Sequence, residues 1–140
     1  MRYSALYNMK LNCPRSVSGY SAEQLVDRLA QARGRLRALI DCLPPGGWLG
    51  PRAEHLNPPL WEYGHIVWFQ ERWSLRARPD GGQAPSLVQG ADALYDSSSV
   101  PHDTRWDLPL PQPAAVDDYA ARVAEAVADR LANGLDDDLA

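Results

Sequence analysis

Residues 57–76, NPPLWEYGHIVWFQERWSLR, constrain the fold more than any other stretch, because they combine helix punctuation with an unusual helix face. Asn57 is a residue type favoured at N-caps, and Pro58 suits the first helical position, where its missing N–H costs nothing. The breaker Pro79-Asp80-Gly81-Gly82 follows closely and sets the end near Arg76. At about 100° per residue, Trp61, His65, Trp68, Phe69 and Arg72 fall within about 60° of His65, with Glu62 at the edge of that arc. A plain core face would be Leu and Val. An imidazole set among aromatic rings, with a guanidinium one turn on, reads instead as the wall of a pocket.

Two more helices flank this one. Ser21-Ala22-Glu23-Gln24 fits a capping box with Gln24 at N3. Leu25, Leu29, Leu36, Leu39 or Ile40, and Leu43 then follow at helical spacing until Pro44-Pro45-Gly46-Gly47 stops the helix. The last helix is predicted over Ala114–Leu131. Val116, Tyr119, Val123, Val127 and Leu131 mark its buried face, Asp117 and Asp118 favour its N-terminus, and Asn133-Gly134 ends it. No strand-like alternation, repeat or low-complexity run is evident, so the fold class is all-α. The connection over residues 77–113 is far longer than an ordinary bundle loop, and such loops tend to be functional. Ala91-Asp92-Ala93-Leu94-Tyr95 within it can make a helical turn, and the segment is expected to fold over the bundle and roof a pocket. Residues 1–20 show no period and read as an N-terminal arm. Leu135 to Ala140 reads as the cap and first turn of a fourth helix, as though the bundle were cut there.

At 140 residues the chain suits one domain with a real core. A net charge of −4 leaves no basic footprint, which argues against nucleic acid as a partner. No apolar run approaches the roughly 18 residues of a membrane span, and the first residues lack the pattern of a secretory signal. Cys13 and Cys42 have no metal-site spacing and read as reduced thiols. The expectation is a cytoplasmic protein without a membrane partner.

His65 is the sharpest chemical candidate. Metal sites in helical bundles are built from inward side chains on separate helices, and neutral imidazole is the commonest ligand. The ordinary alternatives are a core histidine bonded to a backbone carbonyl, or a helix-surface residue; one histidine makes no metal site, and no His-x-x-x-His partner occurs in the chain. His55 and His102 read as surface residues. Trp61, Trp68, Phe69, Trp73 and Trp106 can be core, or a cage for a quaternary ammonium, which offers no N–H and suits ring faces. Arg72, Arg76 and Arg105 can hold carboxylates through two N–H groups, exposed salt bridges being their ordinary state. No phosphate loop, Ser/His/Asp arrangement or Cys/His pair is evident.

The segment Pro58-Pro59-Leu60-Trp61-Glu62-Tyr63-Gly64-His65-Ile66-Val67-Trp68-Phe69-Gln70-Glu71 resembles the signature helix of the DinB-like domain. That domain begins the iron-dependent ergothioneine-type sulfoxide synthases and their relative, selenoneine synthase. The resemblance covers roughly residues 21–140. It implies a DinB-like four-helix bundle and makes the histidine of the Gly-His-x-x-Trp-Phe pattern, His65, one of three Fe(II) ligands. The run from Asp92 to Trp106 is closer to the selenoneine type than to the Asn-Ser-Tyr-Tyr pattern of ergothioneine-type members. The resemblance implies Fe(II) and O2 chemistry that joins sulfur or selenium to the imidazole of hercynine, the trimethylated betaine of histidine. Trp61, Trp68 and Trp106 would then shape the substrate pocket, and Arg105 would hold a substrate carboxylate.

The family's other two histidine ligands belong to a fourth helix that would lie beyond residue 140. Its C-terminal domain, related to the formylglycine-generating enzyme fold, has no counterpart in these residues. The expectation is therefore the N-terminal part of a larger non-haem iron oxidoreductase, incompetent by itself. The alternatives are a stand-alone bundle serving as a binding or oligomerisation module, and a small metal-dependent thiol transferase.

Overall fold

A computed structural model describes residues 19–133. Its elements in chain order are α1 (Ala22–Asp41), α2 (Pro59–Glu71), a short helix α3 (Ala91–Tyr95) and α4 (Pro113–Ala132). Among the described residues the fold is all-helical, with one isolated antiparallel bridge between Ala77 and Gln83. The N-terminal arm and the expected start of a further helix near Leu135 lie outside the described residues, apart from Gly19 and Tyr20.

Local chemistry accounts for most helix ends. Ser21 caps α1 with both arms of the capping box: its hydroxyl accepts from the Gln24 N–H, and the Gln24 side chain accepts from the Ser21 N–H. α2 begins one residue later than the sequence predicts. Pro58 is the cap, extended at φ −56° and ψ 129°, and Pro59 takes the first turn. A residue followed by proline is driven out of the helical region, so Pro58 cannot be helical while Pro59 follows it. Asn57 is freed from capping, and its amide donates to the Glu62 carboxylate. α4 runs slightly past its expected ends, from Pro113 to the cap at Asn133.

α2 continues through a wide π-helical turn over Arg72–Arg76, a feature that often marks functional segments. The chain then becomes extended at Ala77 and reverses over the expected breaker, where Gly81 takes φ 80° and the Asp80 carboxylate accepts from the Gly82 N–H.

α2 is the central element. Leu60, Trp61, Tyr63, Gly64, Val67, Trp68 and Glu71 are all buried, an arc of roughly 160° on a helical wheel. α4 packs against it through Val116, Tyr119, Val123 and Val127, the residues its spacing predicts. α1 covers the pair more thinly. Ile40 is buried and Leu39 is 69% exposed, which settles the alternative left open at that turn. Leu29, Leu36 and Leu43 are partly buried against the same core.

The sequence reading centres the important face of α2 on His65, whereas burial centres it near Gly64 and Glu71. His65 lies at the rim of the buried arc, half-buried. Trp61 and Trp68 lie inside it, while Phe69 and Trp73 are more than half exposed. The long connection does fold back, and it does so along this rim: α3 docks against α2.

Candidate functional site

Five polar side chains of α2 and its π-turn, at positions 61, 65, 68, 72 and 76, all face α3. The Trp61 indole N–H donates to the Leu94 carbonyl at 2.7 Å, and Nδ1 of His65 lies 2.7 Å from the Tyr95 carbonyl oxygen. The Trp68 indole N–H donates to Asp92 Oδ1 at 2.7 Å. Arg76 grips both oxygens of Asp92 at 2.8 Å, and Arg72 stands 4.0 Å from Asp96. A five-residue helix has too few internal bonds to stand alone, and the last carbonyls of any helix lack intrahelical donors. The row supplies both needs, neutralising the acidic side chains of α3 and capping its terminal carbonyls.

The rings of this row stack. His65 lies nearly parallel to Trp61, with centroids 4.8 Å apart and planes 8° apart, and stacks on Trp68 at 5.7 Å. Phe69 tilts against His65 at 6.0 Å. Arg105 lies 3.9 Å from the centroid of the Trp61 ring, and Arg72 lies 5.2 Å from that of Trp68. Gly64 lets the Tyr95 ring approach the helix backbone, because a Cβ there would collide with the ring. Tyr95 is 1% exposed, and burial pushes its phenol up to about 12. The Arg76 guanidinium, helped by the Trp68 N–H, holds the Asp92 carboxyl down at about 2 despite some burial.

Arg105 and Arg76 are buried, not at the surface as their residue type suggests. Arg105 donates from one terminal nitrogen to the Asn57 side chain at 2.7 Å and from the other to the Val100 carbonyl at 3.0 Å. Its Nε has no partner, and burial lowers its pKa. Trp61 is 1% exposed, with Arg105 near one part of its ring system and His65 stacked upon it. Trp106 joins a separate cluster: its indole donates to the Leu49 carbonyl at 3.1 Å, His102 packs edge-on at 5.3 Å, and the Arg52 guanidinium lies 5.6 Å from its centroid. The structure thus brings His65, Trp61, Trp68 and Arg105 together and sets Trp106 among other loop residues.

Two elements of the site escape sequence reasoning. Asp92 and Tyr95 carry the docking of α3, and the visible signal was Gly64, a glycine inside a strong helix beside His65, which marks a close approach. The other is Glu71, fully buried below the row. Its carboxylate accepts from the Ser86 hydroxyl at 2.7 Å, the Leu87 N–H at 2.5 Å and the Tyr119 hydroxyl. Burial and this bond push the Tyr119 phenol up. These donors join α2, the long connection and α4 at one carboxylate.

Among the described residues no group of three or more His, Cys, Asp or Glu side chains could hold a metal ion. Of the residues in this row, His65 is the one whose side chain is of a metal-ligating type. With Nδ1 engaged by a carbonyl, its Nε2 remains to bind, which is the arrangement that orients most metal-bound histidines.

Residues 28–140 match the DinB superfamily, and the chain belongs to it. It is also similar to hercynine oxygenase of Mycobacterium tuberculosis, with 37% identity over 113 residues, 80% of this chain. The match spans only 26% of that relative's length. Among the described residues, no helix is long and apolar enough to cross a membrane.

Proposed function

We propose that the chain is the N-terminal helical part of a hercynine-oxygenase-type enzyme, and that His65 contributes one ligand to its Fe(II). The full enzyme would use O2 to join sulfur or selenium to C2 of the hercynine imidazole, in ergothioneine or selenoneine synthesis. The observation that carries this reading is the His65–Tyr95 bond. A carbonyl only accepts, so Nδ1 is the donor in this bond, and the Nε2 lone pair is the one left for a metal whenever the ring carries a single proton. The similarity to hercynine oxygenase supports the choice of substrate.

This row supplies one imidazole, and no group of three ligand side chains forms among the described residues, so the reading requires two further ligands that these residues do not bring to His65. Bound Fe(II) would supply oxygen activation and leave coordination positions for the chalcogen donor. The residues of this chain orient the first ligand and exclude water from one side of it. Trp68 walls the ligand beside Phe69. Trp61 and Arg105 belong to the same wall: their polar groups are engaged with Leu94, Asn57 and Val100, so we assign them to holding the ring in place. Two of the five N–H groups of Arg105 are spent on Asn57 and Val100, and a substrate carboxylate would have to take the remaining ones at a guanidinium that is already buried. Trp106, set in its own cluster with His102 and Arg52, is not assigned to this wall.

The test is His65→Ala in the complete reading frame, with iron content, product formed from hercynine with sulfur and with selenium donors, and a thermal melt. Iron and turnover should both be lost, while stability falls by an ordinary mutant's 1–3 kcal/mol or so. A variant that keeps its iron and its product would return His65 to the role of a structural histidine.

A further inference from the structure

We propose that Asp92 is a positioning residue for His65, acting through α3 without touching the imidazole. Its bonds run to Trp68 and Arg76, one and three turns along α2 from His65. They fix the first turn of α3, and the last residue of that helix presents the carbonyl that receives Nδ1 of His65. The proposal rests on the reading of His65 as a metal ligand.

The argument is mechanical. α3 has five residues, too few to keep its shape unaided. It is held at its start by Asp92 and at its end by the buried Tyr95 ring, seated on Gly64. Without Asp92 the remaining anchors, the Tyr95 ring, the Trp61 bond to Leu94 and Arg72 beside Asp96, all lie at the end of the helix, so its start can swing and tilt the terminal carbonyl. That carbonyl must lie in the plane of the imidazole and within hydrogen-bond distance to hold the proton on Nδ1. Once it withdraws, the ring is free to place its proton on Nε2, the nitrogen a metal would need. Trp61, which caps the neighbouring Leu94 carbonyl and stacks on His65, would be disturbed by the same tilt. The Arg76 fork is the strongest part of the clamp, since it is bidentate, charge-assisted and built on a buried guanidinium. Its Nε is anchored in turn on the Ala84 carbonyl at 2.7 Å, so the clamp is braced from behind.

The tautomer can be read directly. Long-range proton–nitrogen spectra of the three histidines, assigned by single substitutions, report which nitrogen of His65 is protonated. The wild-type protein should carry the proton on Nδ1. Asp92→Asn, which breaks the charged fork, and Trp68→Phe, which removes the indole donor along with part of the ring stacked on His65, should each move His65 toward an averaged or Nε2-protonated ring while helical circular dichroism is retained. In the complete protein the same variants should weaken Fe(II) binding on the order of tenfold to a hundredfold. The proposal is overturned if the wild-type ring is protonated on Nε2, or if both variants keep the wild-type tautomer. If the variants shift the tautomer but His65→Ala binds Fe(II) as well as wild type, Asp92 still positions the ring and the ligand reading alone fails.

Discussion

Gly64→Ala is the most direct test of how α3 sits on α2. In an isolated helix the substitution would stabilise by about 1 kcal/mol, because glycine is that much poorer than alanine in a helix interior. Here the new Cβ would fall 2.5 Å from the Tyr95 hydroxyl oxygen and closer still to Cε1 and Cζ of the same ring. The ring is rigid and fully buried, so it cannot give way as the end of a flexible chain would. Overpacking a well-filled core costs about 1–3 kcal/mol, and three simultaneous overlaps point to the upper end. Subtracting the gain in helix propensity leaves a net loss of about 2 kcal/mol, or roughly 8 °C in melting temperature for a domain of this size. A double-mutant cycle isolates the cause: in a Tyr95→Ala background the collision is gone, and Gly64→Ala should become neutral or stabilising by up to about 1 kcal/mol. The coupling between the two sites should therefore approach about 3 kcal/mol. Additive effects, or a single Gly64→Ala variant that melts at or above wild type, would show that Tyr95 does not lie over Gly64.

Asp92 makes stability acid-sensitive: its folded pKa of about 2 lies below its ordinary 3.8, so its contribution is present above about pH 4 and lost as pH falls through 2. Urea midpoints measured down this range should fall less for Asp92→Asn than for wild type, and equal falls would refute the clamp. Tyr119→Phe removes a donor from the buried Glu71 carboxylate and should cost about 1–3 kcal/mol in chemical denaturation; an unchanged midpoint would show that Glu71 does not depend on that bond. Calorimetric titration of the 140-residue chain with Fe(II) should show no stoichiometric site, because affinity comes from converging ligands and no group of three ligand side chains forms among the described residues. A tight one-to-one complex abolished by His65→Ala would refute this.

Local signals in the sequence were read well wherever one short-range interaction decides the outcome. The Ser21–Gln24 box and the buried valines of α4 follow from spacing and capping alone, whereas α1 ends at Asp41, two residues short of the expected Leu43. The start of α2 is off by one because two consecutive prolines compete, and the restriction on the residue before proline outweighs the cap preference of Asn57. The orientation of α2 was not legible from its own residues. A helix aromatic on nearly every side offers no contrast between faces, and what buries Trp61 and Trp68 is a segment some thirty residues later. That segment carries Asp92, Leu94 and Tyr95 in an unremarkable pentapeptide, and two of its acceptors for the row are backbone carbonyls, which leave no mark in sequence. Arg76 does hold a carboxylate through two N–H groups, as its residue type allows, but its burial is illegible for the same reason, since its partner lies across a loop.

The bond between His65 and Tyr95 fits a structural histidine as well as a ligand, so the choice turns on what the neighbouring positions use for the same task. Trp61, Trp68, Arg72 and Arg76 meet the acceptors of α3 with indole N–H and guanidinium groups, which donate and cannot accept. Had position 65 been required only to cap a carbonyl, any of those groups would serve, and the row shows that they fit the spacing. Imidazole is the one member that still has a lone pair after donating its proton. It also sits at the rim, half-buried between the core tryptophans and exposed Phe69, where that lone pair is not sealed inside the core. A buried acceptor with no donor would carry a desolvation cost; at the rim it can be met by water or by a metal. The row therefore separates two jobs, four side chains that hold α3 and one that is held by it, and the held one is the side chain with a coordinating nitrogen to spare.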